Sequence, residues 1–214
     1  MLDDHPAAVD HLSVRTLAAG SATVGPVPPI DLPIVLNRVT MRAFTMDDLG
    51  RFHDMNSRAD VARFLYWEAR TPEESRTALV RKTAETGFGA DDEALSLAVA
   101  RNEDGTLLGE VILRMIDAGS RGAEFGFIFH PDHQGRGYAG EAAHGMLQLA
   151  FETLGMHRVI GRCDPRNEAS ARVMQRLGMR QEAHFRSNEM VKGEWCDELV
   201  FALLAEEWQI SRTG

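Results

Sequence analysis

The sequence predicts one mixed α/β domain in which helices flank a mostly antiparallel central sheet. β-Rich runs at 95–100, 107–116 and 121–130 follow one another across short polar turns, which is typical of antiparallel neighbours. A glycine-dense turn at 135–140 then leads into an amphipathic helix. Two further strand-like runs, within 180–204, come after a second helix. This mixture of strand and helix signals indicates an α/β fold rather than an all-helical or all-β one.

Composition and charge limit the classes of function. The chain has 214 residues, enough for one domain with a proper core, and its net charge of −9 argues against a nucleic-acid binder. No apolar run approaches membrane-spanning length, and the start of the chain lacks the features of a signal peptide. Cys163 and Cys196 are too few for a disulfide framework. We therefore expect a cytoplasmic protein that binds neither nucleic acid nor membrane.

The first residues differ in composition from the rest. Glycine and prolines at 25–29 predict an extended, semi-rigid segment, and a weakly apolar stretch at 8–19 is compatible with a short helix. We predict an N-terminal extension or arm at 1–33 and a globular domain at 34–210.

The first half of the domain carries clear signals for the starts of helices. A β-rich run at 33–43 leads to Thr45, whose hydroxyl can cap a helix ahead of acidic residues. A second helical piece follows Ser57. Thr71 precedes a proline at the first helical position and a glutamate at the third, which predicts a helix over 72–85.

The strand at 121–130 has two faces of different chemistry. One face is aromatic and carries Phe125, Phe127 and Phe129. Glu124 and Ile128 lie on the opposite face, because side chains alternate along a strand. A carboxylate is therefore expected on the face opposite the aromatic one.

The glycine-dense turn after this strand is a predicted anion site. Its glycines leave backbone N–H groups uncovered, and the helix that follows adds unpaired N–H groups and the positive end of its dipole. Such an arrangement favours a phosphate or pyrophosphate. The G-x-G-x-x-G pattern at 135–140, with Asp164 ending the next strand, matches a dinucleotide-binding fold. However, residues 131–134 separate strand from loop and about 50 residues remain after Asp164, so a different pyrophosphate loop, Gln134-x-x-Gly137-x-Ala139, is the favoured interpretation.

In the second half of the domain, glycines mark the ends of the predicted helices. From Tyr138 on, apolar residues recur at helical spacing until Gly155 ends the helix. A strand is predicted at 157–163, and Asn167 then caps a helix that Gly178 ends.

The chain ends in a predicted hairpin. Two strands at 180–190 and 195–204 are joined at Lys192 and Gly193. A short terminal turn is expected at 206–208.

With these elements placed, residues 34–208 resemble the GNAT superfamily of N-acetyltransferases, and within it the RimJ/RimL-type protein N-terminal acetyltransferases. Five segments in order carry the resemblance: 38–44, 124–129, 130–141, 167–178 and 192–197. The resemblance implies the GNAT fold, in which the strand at 121–130 is splayed from its parallel neighbour at 157–163. It implies an acyl-CoA-dependent N-acetyltransferase, and the family is compatible with a homodimer.

The resemblance also implies a binding site for acetyl-CoA. The backbone of Phe127, Ile128 and Phe129 would pair with the pantetheine arm as an added strand. The pyrophosphate would lie on the loop residues Gln134, Gly135, Arg136, Gly137, Tyr138, Ala139 and Gly140. Asn167 and Ser170 face the cofactor in this family. Their alternative interpretation is helix capping, and both roles can hold together.

The implied chemistry is direct attack of a primary amine on the thioester through a tetrahedral intermediate. An amine is mostly protonated at neutral pH, so a base must take a proton. Glu124 is the candidate base, because this position often carries the carboxylate in related enzymes; the alternative is an exposed strand-end glutamate. Many GNAT enzymes present a tyrosine as the acid where this chain has Met174. This departure leaves Ser170 or Tyr138 as the acid.

Other groups have weaker assignments. His130 and His133 lack further ligands nearby, so no metal site is predicted. Five residues could either form a wall of the acceptor pocket or have a purely structural role: Tyr66, Trp67, Phe88, Trp195 and Asp197.

The acceptor itself is left open by the sequence. A protein N-terminal amine and a small-molecule amine, such as a polyamine, an amino acid or an antibiotic, both fit the scaffold. Because Met174 cannot donate a proton, a catalytically weak acyl-CoA-binding sensor or interaction module is the alternative function.

Overall fold

The computed structural model describes residues 28–213, with side chains through residue 210. The helix expected at 8–19 lies outside the described residues. Ile30 and Leu32, which belong to the segment assigned to the extension, pack against the main core.

Within the described residues, eight strands form one sheet. They are β1 (Ile34–Val35), β2 (Val39–Ala43), β3 (Ala94–Arg101), β4 (Leu107–Asp117), β5 (Gly122–Phe129), β6 (Arg158–Cys163), β7 (Arg180–Val191) and β8 (Glu194–Leu204). Their spatial order is β1-β2-β3-β4-β5-β6-β8-β7. Only β5 and β6 are parallel neighbours; the other pairs in the described chain are antiparallel. The predicted mostly antiparallel sheet is confirmed.

The helices lie on the two faces of this sheet. They are α1 (Leu49–Asn56), α2 (Ala59–Ala62), α3 (Pro72–Ala84), α4 (Tyr138–Gln148), α5 (Glu168–Arg176) and α6 (Ala205–Thr213). A wider, π-type turn at Leu149–Thr153 prolongs α4. The described part of the chain contains no helix of the length and apolarity that crossing a membrane requires.

The start signal at Thr71 operates as predicted, whereas the hydroxyl of Thr45 does not accept the predicted capping hydrogen bond. Thr71 accepts a hydrogen bond from Glu74 N, and Glu74 accepts one from Thr71 N, so that α3 begins with a reciprocal capping box. Thr45 stands ahead of a short 3-10 turn, where Asp48 accepts from Thr45 N and from the guanidinium of Arg42. The expected terminal turn at 206–208 is wrong, because the chain continues as α6.

Helix α4 lies very close to the sheet, because small residues occupy its buried face. Ala142, Ala143 and Met146 are fully buried. A Cβ added at Gly145 would lie 2.7 Å from Leu36 Cδ1, so this position admits only glycine without a shift of its neighbours. The close approach keeps the start of α4 near the end of β5.

The splay implied by the family resemblance is present between β5 and β6. β5 pairs with β4 as far as Phe129, but with β6 only from Gly122 to Glu124. β6 meanwhile stays paired with β8 to Cys163. The two parallel strands therefore share three register pairs and then part, which leaves a gap beside the second half of β5.

Candidate active site

The glycine-dense turn is an open cradle of backbone N–H groups. Gly135 and Gly137 have φ of +71° and +83°, a left-handed conformation that favours glycine. Within the described part of the chain, the N–H groups of residues 135–140 donate no hydrogen bond. The start of α4 thus presents several free donors together with the positive end of a helix dipole, which is chemistry suited to a pyrophosphate.

Arg38, at the end of the β1–β2 turn, holds this loop in place. Its N–H and its Nε donate to the two carboxylate oxygens of Glu141 at 2.6 and 2.7 Å. Its Nη1 donates to the carbonyl of Arg136 at 2.8 Å, and its guanidinium lies 5.0 Å from the ring centre of Tyr138. Sequence reasoning gave Arg38 no such role. Arg38 adds a positive charge beside the cradle and joins it to β2.

The backbone of β5 offers hydrogen-bonding groups to the gap. His130 N donates to Leu108 O, so the backbone groups of alternate residues, including Ile128, point toward β4. Those of Phe127 and Phe129 therefore point the other way, toward the gap. Phe129 O accepts from the Gln134 side chain at 2.9 Å. Of the three residues expected to contact pantetheine, Phe127 thus directs both backbone groups into the gap, while the carbonyl of Phe129 is already engaged by Gln134.

A cavity of about 180 Å³ opens where β5 and β6 begin to part. Its walls come from the segment after α2, the first half of β5, the end of β6 and the β7–β8 hairpin. Among the residues that line it are Tyr66, Glu124, Arg162, Glu189, Glu194 and Glu198. The cavity therefore combines several carboxylates with the candidate base.

Glu124 is buried at the floor of this cavity. The residue is only 8% exposed, and its Oε2 lies 3.4 Å from Arg162 Nε. Burial raises the pKa of Glu124 to about 7, against the opposing attraction of Arg162 and with a further rise from the charge of Glu198. The alternative of an exposed strand-end carboxylate is therefore wrong. Glu124 is a carboxylate able to exchange a proton near neutral pH.

Two carboxylates of the terminal hairpin stand near Glu124. Glu198 is 6% exposed; its Oε1 lies 3.5 Å from Arg162 Nη1, and its Oε2 accepts from Asn188 at 2.9 Å. Burial raises the pKa of Glu198. Glu189 accepts from the Tyr66 hydroxyl at 2.7 Å. Sequence reasoning missed both glutamates, because the spacing of a terminal hairpin does not show which of its residues face β5.

The hairpin is tied to the segment after α2 across the cavity. Lys192 Nζ donates to Ala62 O at 2.6 Å and lies 3.6 Å from a carboxylate oxygen of Glu68. Together with the Tyr66–Glu189 hydrogen bond, these contacts fix the two walls relative to each other.

Only some of the residues predicted as possible walls of the acceptor pocket line the cavity. Tyr66 and Asp197 line the cavity. Trp67 instead lies under the Arg70 guanidinium at 4.4 Å, and Phe88 belongs to the main core. Trp195 is largely exposed.

The remaining candidates lie apart from this cavity. Asn167 caps α5 by accepting from Ser170 N at 3.2 Å, so the capping interpretation holds, and neither residue is among those that line the cavity. Met174 is buried, and a Cβ at Gly161 would lie 2.6 Å from its sulfur. The position that carries a tyrosine in many GNAT enzymes therefore packs against β6. Tyr138 is held beside Arg38, away from Glu124.

His130 and His133 do not act as a pair. His130 Nε2 lies 3.2 Å from Asp54 Oδ2, and His130 Nδ1 accepts from Asp132 N at 3.2 Å. Both ring nitrogens of His130 are thus engaged in joining the turn after β5 to α1.

Comparison with known proteins places this architecture among the acetyltransferases. A family model described as an acetyltransferase (GNAT) domain matches residues 38–180. The chain is 32% identical over 175 residues to the uncharacterized N-acetyltransferase YnaD of Bacillus subtilis, covering 82% of this chain and 98% of that protein.

Solved structures agree with the family match. A GNAT-family acetyltransferase from Bacillus anthracis superimposes with a TM-score of 0.73 at 30% identity, over 82% of this chain and 100% of that one. Spermidine N-acetyltransferase from Vibrio cholerae, in complex with CoA and spermine, has a TM-score of 0.68 at 21% identity, over 80% of this chain and 98% of its own. At that identity, the second likeness shows the fold alone.

Proposed function

The chain belongs to the GNAT acetyltransferase family, and from that premise we propose that it transfers the acetyl group of acetyl-CoA to a primary amine bound in the cavity above Glu124. One observation carries the proposal. Glu124, a buried carboxylate with a pKa of about 7, lies on β5 at the point where this strand parts from β6. This position supports Glu124 as the base, beside the gap in which the family resemblance puts the thioester.

The residues around the gap fit acetyl-CoA. The free N–H groups of residues 135–140 would hold the pyrophosphate, with Arg136 and Arg38 adding positive charge, and the backbone of Phe127 would pair with the pantetheine arm. Acetyl-CoA supplies the acetyl group as an activated thioester. The chain's part is to orient it and to take the proton of the amine.

Glu124 suits the second task. An amine with a pKa near ~10 arrives mostly as an ammonium ion, so attack requires loss of a proton. A carboxylate of ordinary pKa is a poor acceptor, whereas one whose pKa lies near the working pH is both ionised and basic enough. Burial of Glu124 gives it that property. Ser170 or Tyr138 would protonate the departing thiolate, with water as the alternative.

The size of the cavity favours an acceptor that inserts one narrow, amine-bearing end. Its volume of about 180 Å³ is too small for a folded partner and accommodates a short chain end or a small molecule. Two acceptor classes satisfy this: the N-terminus of a protein, as in RimJ/RimL-type enzymes, and a small amine such as a polyamine. Both acceptor classes are therefore included in the test.

A turnover assay tests the proposal. Purified protein with acetyl-CoA is offered spermidine, 1,4-diaminobutane, free amino acids and peptides with free or blocked N-termini, and release of the CoA thiol is followed. We expect release with at least one free amine and none with the blocked peptides. Glu124→Gln should lower kcat at saturating acetyl-CoA by about 100-fold or more. Lack of release with every amine would refute acetyl transfer to this class of acceptor.

One observation favours a second candidate, an acyl-CoA-binding module with weak or no turnover. Met174 is a buried thioether at the position where many family members carry a tyrosine acid. If CoA raises the melting temperature but no acceptor releases thiol, this second function is supported. We further infer a cytoplasmic location, which suits the unpaired thiols of Cys163 and Cys196.

A further inference from the structure

The cavity contains a second buried carboxylate with no part in the reaction as described so far. Glu198 of β8 and Glu124 of β5 share one cation, because the same guanidinium places Arg162 Nη1 3.5 Å from Glu198 and Nε 3.4 Å from Glu124. Two carboxylates that are each more than nine-tenths buried thus meet at a single arginine. Buried ionised groups are costly unless paired, so this cluster has room for a further cation.

The surroundings of Glu124 confirm the deficit of positive charge. The charged and titratable groups that face it are Arg114 from β4, Arg162 from β6, Glu189 from β7, Glu198 from β8 and Tyr66 from the segment after α2. Arg114 Nη1 donates to Asp92 O, at the side of β4 away from the hairpin. Arg63, Arg166 and Lys192 also line the cavity, but Arg63 lies over the Phe64 ring, Arg166 pairs with Asp164, and Lys192 donates to Ala62 O. Among the described residues, Arg162 is therefore the cation within 4 Å of both Glu124 and Glu198.

Unused hydrogen-bonding capacity points the same way. In the described part of the chain, no hydrogen bond reaches the carboxylate of Glu124, and Arg162 Nε has no aligned acceptor although Glu124 is 3.4 Å away. An ammonium group carries three N–H donors and a positive charge on a small volume. Such a group could donate both to the free oxygens of Glu124 and to the remaining lone pairs of Glu198, whose two oxygens already accept one bond each.

We propose that Glu198 and Glu124 together bind the ammonium form of the acceptor, and that Glu198 is the residue that selects a cationic amine. The inference rests on the proposed function and names the recognition element of the same site. In the step that follows binding, an N–H bond of the ammonium breaks, the proton passes to Glu124, and the nitrogen keeps the electron pair used for attack. Glu198 stays ionised throughout.

The hydrogen bonds decide which carboxylate takes the proton. Asn188 donates to Glu198 at 2.9 Å, and a donor of this kind favours the ionised form of the acceptor. Glu124 accepts no such bond within the described residues. Glu198 is therefore the fixed anion and Glu124 the exchangeable one.

Binding of 1,4-diaminobutane to the full-length protein saturated with CoA tests this assignment without any need for turnover. Calorimetry at pH 7.5 should show at least tenfold weaker binding to Glu198→Gln than to the wild type. Glu198→Asp keeps the charge and should recover part of the affinity. Glu103→Gln is the matched control, because Glu103 is an exposed carboxylate of the β3–β4 turn and does not line the cavity; the diamine affinity of this variant should equal that of the wild type.

A pH titration supplies a readout that a purely structural role would not move. The charge of Glu198 contributes to the raised pKa of Glu124, so the carbon-13 signal of the Glu124 carboxyl should titrate at lower pH in Glu198→Gln. An unchanged titration midpoint, or equal diamine affinity in folded Glu198→Gln and wild type, would overturn the inference. So would absence of diamine binding to the wild type.

The two proposals can fail separately. If wild type and Glu198→Gln acetylate amines with the same KM, the acetyltransferase proposal stands and the role of Glu198 falls. If no amine is acetylated but the diamine binds through Glu198, the acetyltransferase proposal falls and the role of Glu198 in binding an ammonium group stands.

Discussion

Glu124→Gln is expected to remove catalysis and, at the same time, to stabilise the fold above neutral pH. The folded protein raises the pKa of this carboxyl from its ordinary 4.5 to about 7. At about 1.4 kcal/mol for each pKa unit, keeping the group ionised in the folded state costs about 3 kcal/mol. Glutamine has the shape of the protonated acid and carries no charge, so it avoids this cost.

The sign of the effect fixes its pH window. Because the folded pKa lies above the unfolded one, the neutral form of Glu124 stabilises the fold fully below pH 4.5, and this stabilisation is lost as pH rises to about 7. The variant should therefore match the wild type near pH 4.5 and exceed it by about 3 kcal/mol at pH 8. For a chain of this length, that corresponds to a rise in Tm of roughly 6–12 °C.

Thermal unfolding at pH 5 and pH 8, followed by circular dichroism, measures the difference. Glu103→Gln again serves as the control, because its exposed carboxylate in the β3–β4 turn should leave Tm unchanged at both values. Thiol release at saturating acetyl-CoA is measured on the same samples. Equal Tm values for Glu124→Gln and wild type at pH 8 would refute the burial argument, and retained turnover would refute the role of Glu124 as base.

Three further changes test other parts of the structure. Gly137→Ala should weaken CoA binding about tenfold by calorimetry, because a side chain at φ +83°, with its Cβ 3.2 Å from Arg38 Nη2, costs about 1–2 kcal/mol and distorts the loop. Lys82→Met should lower the free energy of unfolding in urea by about 3–5 kcal/mol, since its buried Nζ lies 2.9 Å from Glu110. Ser170→Ala should lower kcat by up to about 100-fold with Tm unchanged, because its backbone N–H, not its hydroxyl, completes the α5 cap.

Each of these has an outcome that contradicts it. Gly105→Ala is the control for Gly137→Ala, because it places the same strain, at φ +73°, in a remote turn. If both variants lost CoA affinity equally, the loss would not be due to distortion of the loop at 135–140. Lys82→Met combined with Glu110→Leu should recover most of the lost stability; continued instability would mean that packing, not the unpaired carboxylate, is responsible. An unchanged kcat in Ser170→Ala would move the acid to Tyr138 or water.

Features set by neighbouring residues could be predicted well. The cap at Thr71, the glycine that ends the long helix at 155, and the turn at Lys192 and Gly193 were all found as expected. In that turn both residues have positive φ, the conformation that a two-residue hairpin requires. Such features need information from only a few adjacent positions, and a single sequence contains it.

Features that depend on distant contacts were found only in part. Glu124 was identified as a candidate, but whether it was buried or exposed stayed open, because burial depends on what covers a strand. Glu198 and Arg162 were missed, since no local pattern shows that β8 inserts between β6 and β7. The helix after residue 204 was underestimated; its start is capped by Glu207, which accepts from Leu204 N, and Trp208 packs in the main core.

The sequence by itself predicted the strands, most of the helices and the glycine cradle, because periodicity, capping and turn chemistry act over a few residues. The order of five sequence segments carried the resemblance to the GNAT family. The tertiary structure alone decided that Glu124, Arg162 and Glu198 share one cavity and that burial raises the pKa of Glu124 to about 7. The physical reason is that these effects join residues that lie far apart in the sequence. Desolvation and charge coupling are properties of the space between three strands, and strand order and register create that space.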